Sequence, residues 1–136
     1  MKARRIAHVA IATHSIAVTA EFYKQLGLEL DCIEVVEDQK VKIAVLTCGD
    51  SAVELLEPTA EDSPISKFLE KRGEGLHHIS LEVADLQEQL DILKQRNVRL
   101  IDDQPRLGAE GRLIAFVHPD STGGVLVELS QVPPEG

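Results

Sequence analysis

Two histidines and two glutamates occupy repeating places in this chain. His8 opens the run His8-Val9-Ala10-Ile11, and His78, 70 positions later, opens His78-Ile79-Ser80-Leu81. Glu54 is the centre of Val53-Glu54-Leu55, and Glu128, 74 positions later, the centre of Val127-Glu128-Leu129. Imidazole nitrogens and carboxylate oxygens suit a divalent transition ion, and two of each leave coordination positions for water or substrate. If these runs are strands, successive side chains alternate between faces. Val9 and Ile11 then pack on one face while His8 points to the other, beside Ala10 and Ala12. The same parity turns His78 and Ser80 away from Ile79 and Leu81, Glu54 away from Val53 and Leu55, and Glu128 away from Val127 and Leu129. Small neighbours predict room over that second face. One strand histidine or glutamate is ordinarily a packed or solvated group. The matched set of four predicts a metal site formed by His8, Glu54, His78 and Glu128.

The other reactive side chains carry less. Alternation sends His77 to the face opposite His78, a structural position. His14 precedes a helix start and is expected to be exposed. His118, in Phe116-Val117-His118-Pro119-Asp120, opens a turn, where contact with substrate and an ordinary loop role are both open. Cys32 and Cys48 form neither a disulfide framework nor a zinc motif and read as reduced packing residues.

The elements that must position the four residues are themselves duplicated. Sliding the chain by 70 residues places Ile16 on Leu86, Phe22 on Ile92, Lys24-Gln25 on Lys94-Gln95, and Leu28 and Leu30 on Val98 and Leu100. Short apolar runs at 6–12 and 76–84 predict strands. Ser15 and Asp85 stand where helix N-caps belong, with Glu88 completing a capping box. Ile16, Ala20 and Tyr23, and Leu86, Leu90 and Leu93, follow at helical spacing. Gly27 and Asn97 tolerate the left-handed backbone of a helix stop. Three further apolar stretches follow each helix: 28–36, 41–48 and 51–57, then 98–101, 112–117 and 124–130. The order is βαβββ, twice. Ser63-Pro64, followed by Ile65, Phe68, Leu69 and Gly73, predicts a short helix between the copies. The expected organisation is one α+β domain of two tandem βαβββ modules, 1–57 and 75–136, joined by a connector at 58–74.

Bulk properties narrow the function. The chain has 136 residues, 14 Lys+Arg against 23 Asp+Glu and a formal net charge of −9, with no basic cluster, which argues against nucleic acid as a partner. Aromatic residues are 3%, too few for a base-stacking platform. No apolar run approaches the ~18 residues of a membrane span, and the start lacks a signal-peptide core. A cytoplasmic protein without membrane contact is expected.

These features resemble the vicinal oxygen chelate superfamily, the glyoxalase/bleomycin resistance/dioxygenase group. Within it the chain is most similar to the methylmalonyl-CoA epimerase family. The matching segments run nearly end to end: Val53-Glu54-Leu55-Leu56-Glu57-Pro58, Asp62-Ser63-Pro64-Ile65, Gly75-Leu76-His77-His78-Ile79, Leu107-Gly108-Ala109-Glu110-Gly111 and Gly124-Val125-Leu126-Val127-Glu128-Leu129. The resemblance implies a glyoxalase-like fold, a curved mixed sheet around a metal site. It implies His8, Glu54, His78 and Glu128 as ligands of one divalent ion (zinc, cobalt, manganese or nickel). It also implies interconversion of the C2 epimers of an acyl-CoA thioester through an enolate, Glu128 as a catalytic acid/base, and a homodimer. The residues that place a second acid in such families fall at Ile43 here, and Glu37 and Asp38 lie on a hairpin loop, so no second base is assigned. The alternatives are glyoxalase I, which shares the ligand types, and a small-molecule-binding resistance protein of the same superfamily.

Overall fold

The computed structural model describes residues 2–133. The backbone groups into two compact units, residues 8–77, and residues 78–133 together with 2–7. Its elements are β1 (Arg5–Ala12), α1 (Ile16–Gln25), β2 (Glu29–Val36), β3 (Val41–Cys48), β4 (Ser51–Pro58), α2 (Pro64–Arg72), β5 (Gly75–Glu82), α3 (Leu86–Gln95), β6 (Arg106–Leu107), β7 (Leu113–Val117) and β8 (Val127–Gln131).

In the first unit β1 runs parallel to β4, with Ala10 beside Glu54. β3 pairs antiparallel with β4, Val45 beside Glu54, and β2 pairs antiparallel with β3. The helix follows from its ends and its stripe. Ser15 is extended and its hydroxyl accepts the Val18 N–H, supplying a partner to a first-turn donor that lacks one within the helix. Ile16 and Ala20 then pack on Ala44, Leu46 and Leu55. Gly27, at φ +91°, supplies the left-handed stop. α2 begins as expected, with Ser63 as its cap and Pro64 in its first turn.

The second unit repeats the plan. β5 runs parallel to β8 with Ser80 beside Glu128, β7 pairs antiparallel with β8, and β6 with β7. Asp85 caps α3 by accepting the Glu88 N–H, and Leu86 and Leu90 pack on Val83, Ala115, Val117 and Leu129. Each such fully covered leucine contributes on the order of 1.5–3 kcal/mol.

One stretch departs from expectation. Residues 98–101 form no strand beyond an isolated bridge from Leu100 to Val117, and the strand in that place is the two-residue β6. The cause is local. The Asp102 carboxylate accepts the Phe116 N–H at 2.8 Å, taking the place of a strand carbonyl, and Pro105 has no N–H to offer.

Candidate metal centre

The parity argument holds in both units. In the first, His8 lies two residues before Ala10, the residue beside Glu54, and its Nδ1 is 3.1 Å from Glu54 Oε2. In the second, His78 lies two residues before Ser80, the residue beside Glu128, and its Nε2 is 3.2 Å from Glu128 Oε2. All four side chains are buried, His8 and Glu54 at 8% exposure and His78 and Glu128 at 6%. A solvated surface group is excluded for each. Burying a carboxylate is costly unless it is paired, and here each has an imidazole against it.

The face that carries these residues is more closed than small neighbours suggested. Ala10 and Ala12 are wholly covered, whereas Val9 and Ile11 on the helix side are only half-buried. On the same face of the second unit the Ser80 and Ser130 hydroxyls meet at 3.2 Å, both buried. Phe116, the cross-strand partner of Glu128, stands edge-on to the His78 ring with centroids 5.3 Å apart. Its ring also lies 5.5 Å from the Arg106 guanidinium carbon. Phe116 therefore restrains the His78 imidazole. Sequence reading passed over it because only the register shows it opposite Glu128.

The fit to a divalent ion rests on the donor set. Each pair offers one imidazole and one carboxylate, buried and held on regular strands rather than loops, which is what a preorganised metal site requires.

The remaining candidates take structural places. His77 stacks edge-on against Phe68 of α2 at 4.9 Å. His14 is exposed, and its backbone N–H donates to Glu74. His118 caps the turn at Pro119–Ser121, its Nδ1 accepting the Asp120 N–H at 3.0 Å, so an ordinary loop role is its observed one. Cys32 is half-buried, but Cys48 is exposed, against the expectation of packing. It is the last residue of β3, beside Ser51 at the hairpin end, where nothing covers it. Glu37 lies in the hairpin connection as expected.

Residues 7–116 match the Glyoxalase/Bleomycin resistance protein/Dioxygenase superfamily. The chain belongs to that superfamily, in the branch that holds the methylmalonyl-CoA epimerases. It is 39% identical to the ethylmalonyl-CoA/methylmalonyl-CoA epimerase of Cereibacter sphaeroides, over 94% of this chain and 98% of that protein. It is 48% identical to the uncharacterized protein YqjC of Bacillus subtilis, over 93% of this chain and 91% of that protein. Among solved structures, a variant of the methylmalonyl-CoA epimerase of Streptomyces coelicolor in complex with 2-nitronate-propionyl-CoA superposes with a TM-score of 0.89 at 41% identity. That match covers 96% of this chain and 95% of the other.

Proposed function

We propose that this chain is a metal-dependent epimerase that interconverts (R)- and (S)-methylmalonyl-CoA. The observation that carries the reading is the buried His–Glu pair at equivalent strand positions of both units. Its likeness to epimerases over nearly the full length of each chain supports the substrate class, an acyl-CoA thioester.

In this reading His8, Glu54, His78 and Glu128 hold one divalent ion: zinc, cobalt, manganese or nickel. The duplicated halves 1–57 and 75–136, joined by 58–74, contribute one pair each. A bound ion supplies Lewis-acid stabilisation of the oxyanion that forms when the C2 proton leaves. The chain's own part is proton transfer. The C2 proton lies between a thioester carbonyl and a carboxylate, so removing it gives an enolate. Glu128 exchanges that proton as a general acid/base. The Phe116 ring stands edge-on against His78 and holds its imidazole in place. Neutralising Glu54 and Glu128 also removes the repulsion that two carboxylates would exert on an anionic substrate. The working form is a cytoplasmic homodimer, since association covers the exposed edges of open sheets. Among the described residues no helix is long and apolar enough to cross a membrane.

The test is incubation of metal-loaded protein with a single methylmalonyl-CoA epimer in deuterated water, alongside methylglyoxal with glutathione. Deuterium at C2 with loss of chirality is the expected result. Formation of lactoylglutathione instead would select glyoxalase I, and inertness in both arms would select the binding protein or another substrate.

A further inference from the structure

Epimerisation inverts a centre, so protons must be exchanged on both faces of a planar intermediate, and Glu128 serves only one. We infer that Glu34 is the second acid/base. The argument rests on the epimerase reading and on the register of the first unit.

Residues side by side on paired strands project to the same face of a sheet. Cys32 pairs with Val45, and Val45 with Glu54; Glu34 pairs with Ile43, and Ile43 with Leu56. Leu56 in turn lies beside Ala12, on the face that carries His8 and Ala10. Glu34 therefore shares the face of the His8–Glu54 pair, one row along and two strands across. Its backbone stands about 10 Å from β4 at the usual strand spacing.

A bulge puts it there. Leu30 pairs with Leu46, a residue of the core under α1, and the register then slips between Leu30 and Cys32. An uninterrupted strand would carry residues 32, 34 and 36 to the α1 side with Leu30. The extra residue, Asp31, reverses the parity and turns Glu34 to the other face, as bulges beside active sites do.

The surroundings suit proton transfer at carbon. Val41, Ile43, Val45 and Leu56 are buried on the same face and form an apolar floor. Glu29 also shares this face, through its pairing with Thr47, but both lie exposed at the open end of the strands. Glu34 itself is half-buried, at the edge of that floor.

The step balances without a co-reactant. The C2–H bond breaks toward the Glu34 carboxylate, its electron pair passes into the thioester carbonyl as an enolate, and Glu34 becomes a carboxylic acid. A solvent proton relayed on the Glu128 side reaches the opposite face of C2 as the electron pair returns. The reverse direction exchanges the roles, and solvent resets both groups.

The test is Glu34→Gln, followed from each epimer separately in deuterated water. Inversion is expected to fall at least ~100-fold, while one epimer still takes up deuterium at C2 with retained configuration and the other takes up none. Glu128→Gln should show the opposite preference if it retains its ion. Metal content, ion affinity and melting temperature of Glu34→Gln should match the parent protein, and Glu29→Gln and Glu37→Gln should invert normally. Wild-type inversion by Glu34→Gln, or loss of exchange from both epimers together with loss of bound ion, overturns the assignment. A parent protein that inverts neither epimer overturns the epimerase reading itself, and this inference with it.

Discussion

Glu57 Oε1 accepts the backbone N–H of Ile16 at 2.8 Å. The bond ties β4, three residues beyond Glu54, to the first turn of α1. The second unit repeats it: Gln131, three residues beyond Glu128, accepts the Leu86 N–H at 2.8 Å with its side-chain oxygen. In each unit the strand that carries the glutamate is thus fastened to the helix that follows the histidine strand.

Removing that acceptor should cost stability and, in the metal reading, ion affinity. Glu57→Ala is expected to lose about 1–2 kcal/mol, the usual value of a helix-end hydrogen bond to a charged group. Glu57→Gln retains an acceptor oxygen and should lose far less. Ser15→Ala weakens the same helix without touching β4, so it should lower the melting temperature and spare ion binding. Urea denaturation and competition with a chromogenic chelator measure the two effects separately.

Chelation should abolish turnover, and adding back a divalent ion should restore it. An ion that binds only the folded chain raises stability by about 2.7 kcal/mol at a hundred times its dissociation constant. Thermal melts with and without ion should show that gain. His78→Ala should lose most of it, because the variant removes a donor from a buried position. Equal stabilisation of His78→Ala and the parent protein would place the ion elsewhere.

The Glu74 carboxylate fastens another junction. Its Oε2 accepts the His14 N–H at 2.9 Å and the Thr13 hydroxyl at 2.8 Å. The His14 hydrogen bond, then that from Thr13, holds its pKa below the ordinary glutamate value. A depressed folded pKa means that the stabilisation is complete above the unfolded pKa and disappears as pH falls through the folded one. The stability difference between the parent protein and Glu74→Gln should therefore be constant near neutrality and shrink under acid conditions. Denaturation midpoints of both proteins between pH 7 and pH 3 check this. A gap that widens on acidification would reverse the sign of the coupling.

Gly108 is required by space rather than by backbone angle. Its φ of −109° suits any residue, but a Cβ there would meet Ile114 Cδ1 at 2.8 Å and Cγ2 at 2.9 Å. Gly108→Ala should cost about 1–3 kcal/mol as overpacking. Trimming the neighbour with Ile114→Val should recover part of the loss, so the two changes should be non-additive in a double-mutant cycle.

Local chemistry made much of the fold legible. Ser15, Asp85 and Ser63 start helices because their side chains replace missing backbone partners, and Gly27 and Asn97 end them because both accept positive φ. The two His–Glu pairs were legible because side-chain alternation is a property of any strand, and the repeat states it twice. Residues 98–101 were misread because an apolar run does not reveal that Asp102 will take the Phe116 N–H. Cys48 was misread because a hairpin end is exposed whatever the polarity of its last residue.

The sequence by itself determined the element order, the caps and the parity of His8, Glu54, His78 and Glu128, since each depends on neighbours within a few positions. Only the tertiary structure decided how deeply those four are buried, that Phe116 stands against His78, and which face Glu34 occupies. Burial and the Phe116 contact depend on which strands lie side by side, and for Glu34 the reason is the bulge at Asp31. One unpaired residue inverts every side chain beyond it, and whether a strand absorbs such a residue is settled by the strand beside it, not by its own letters.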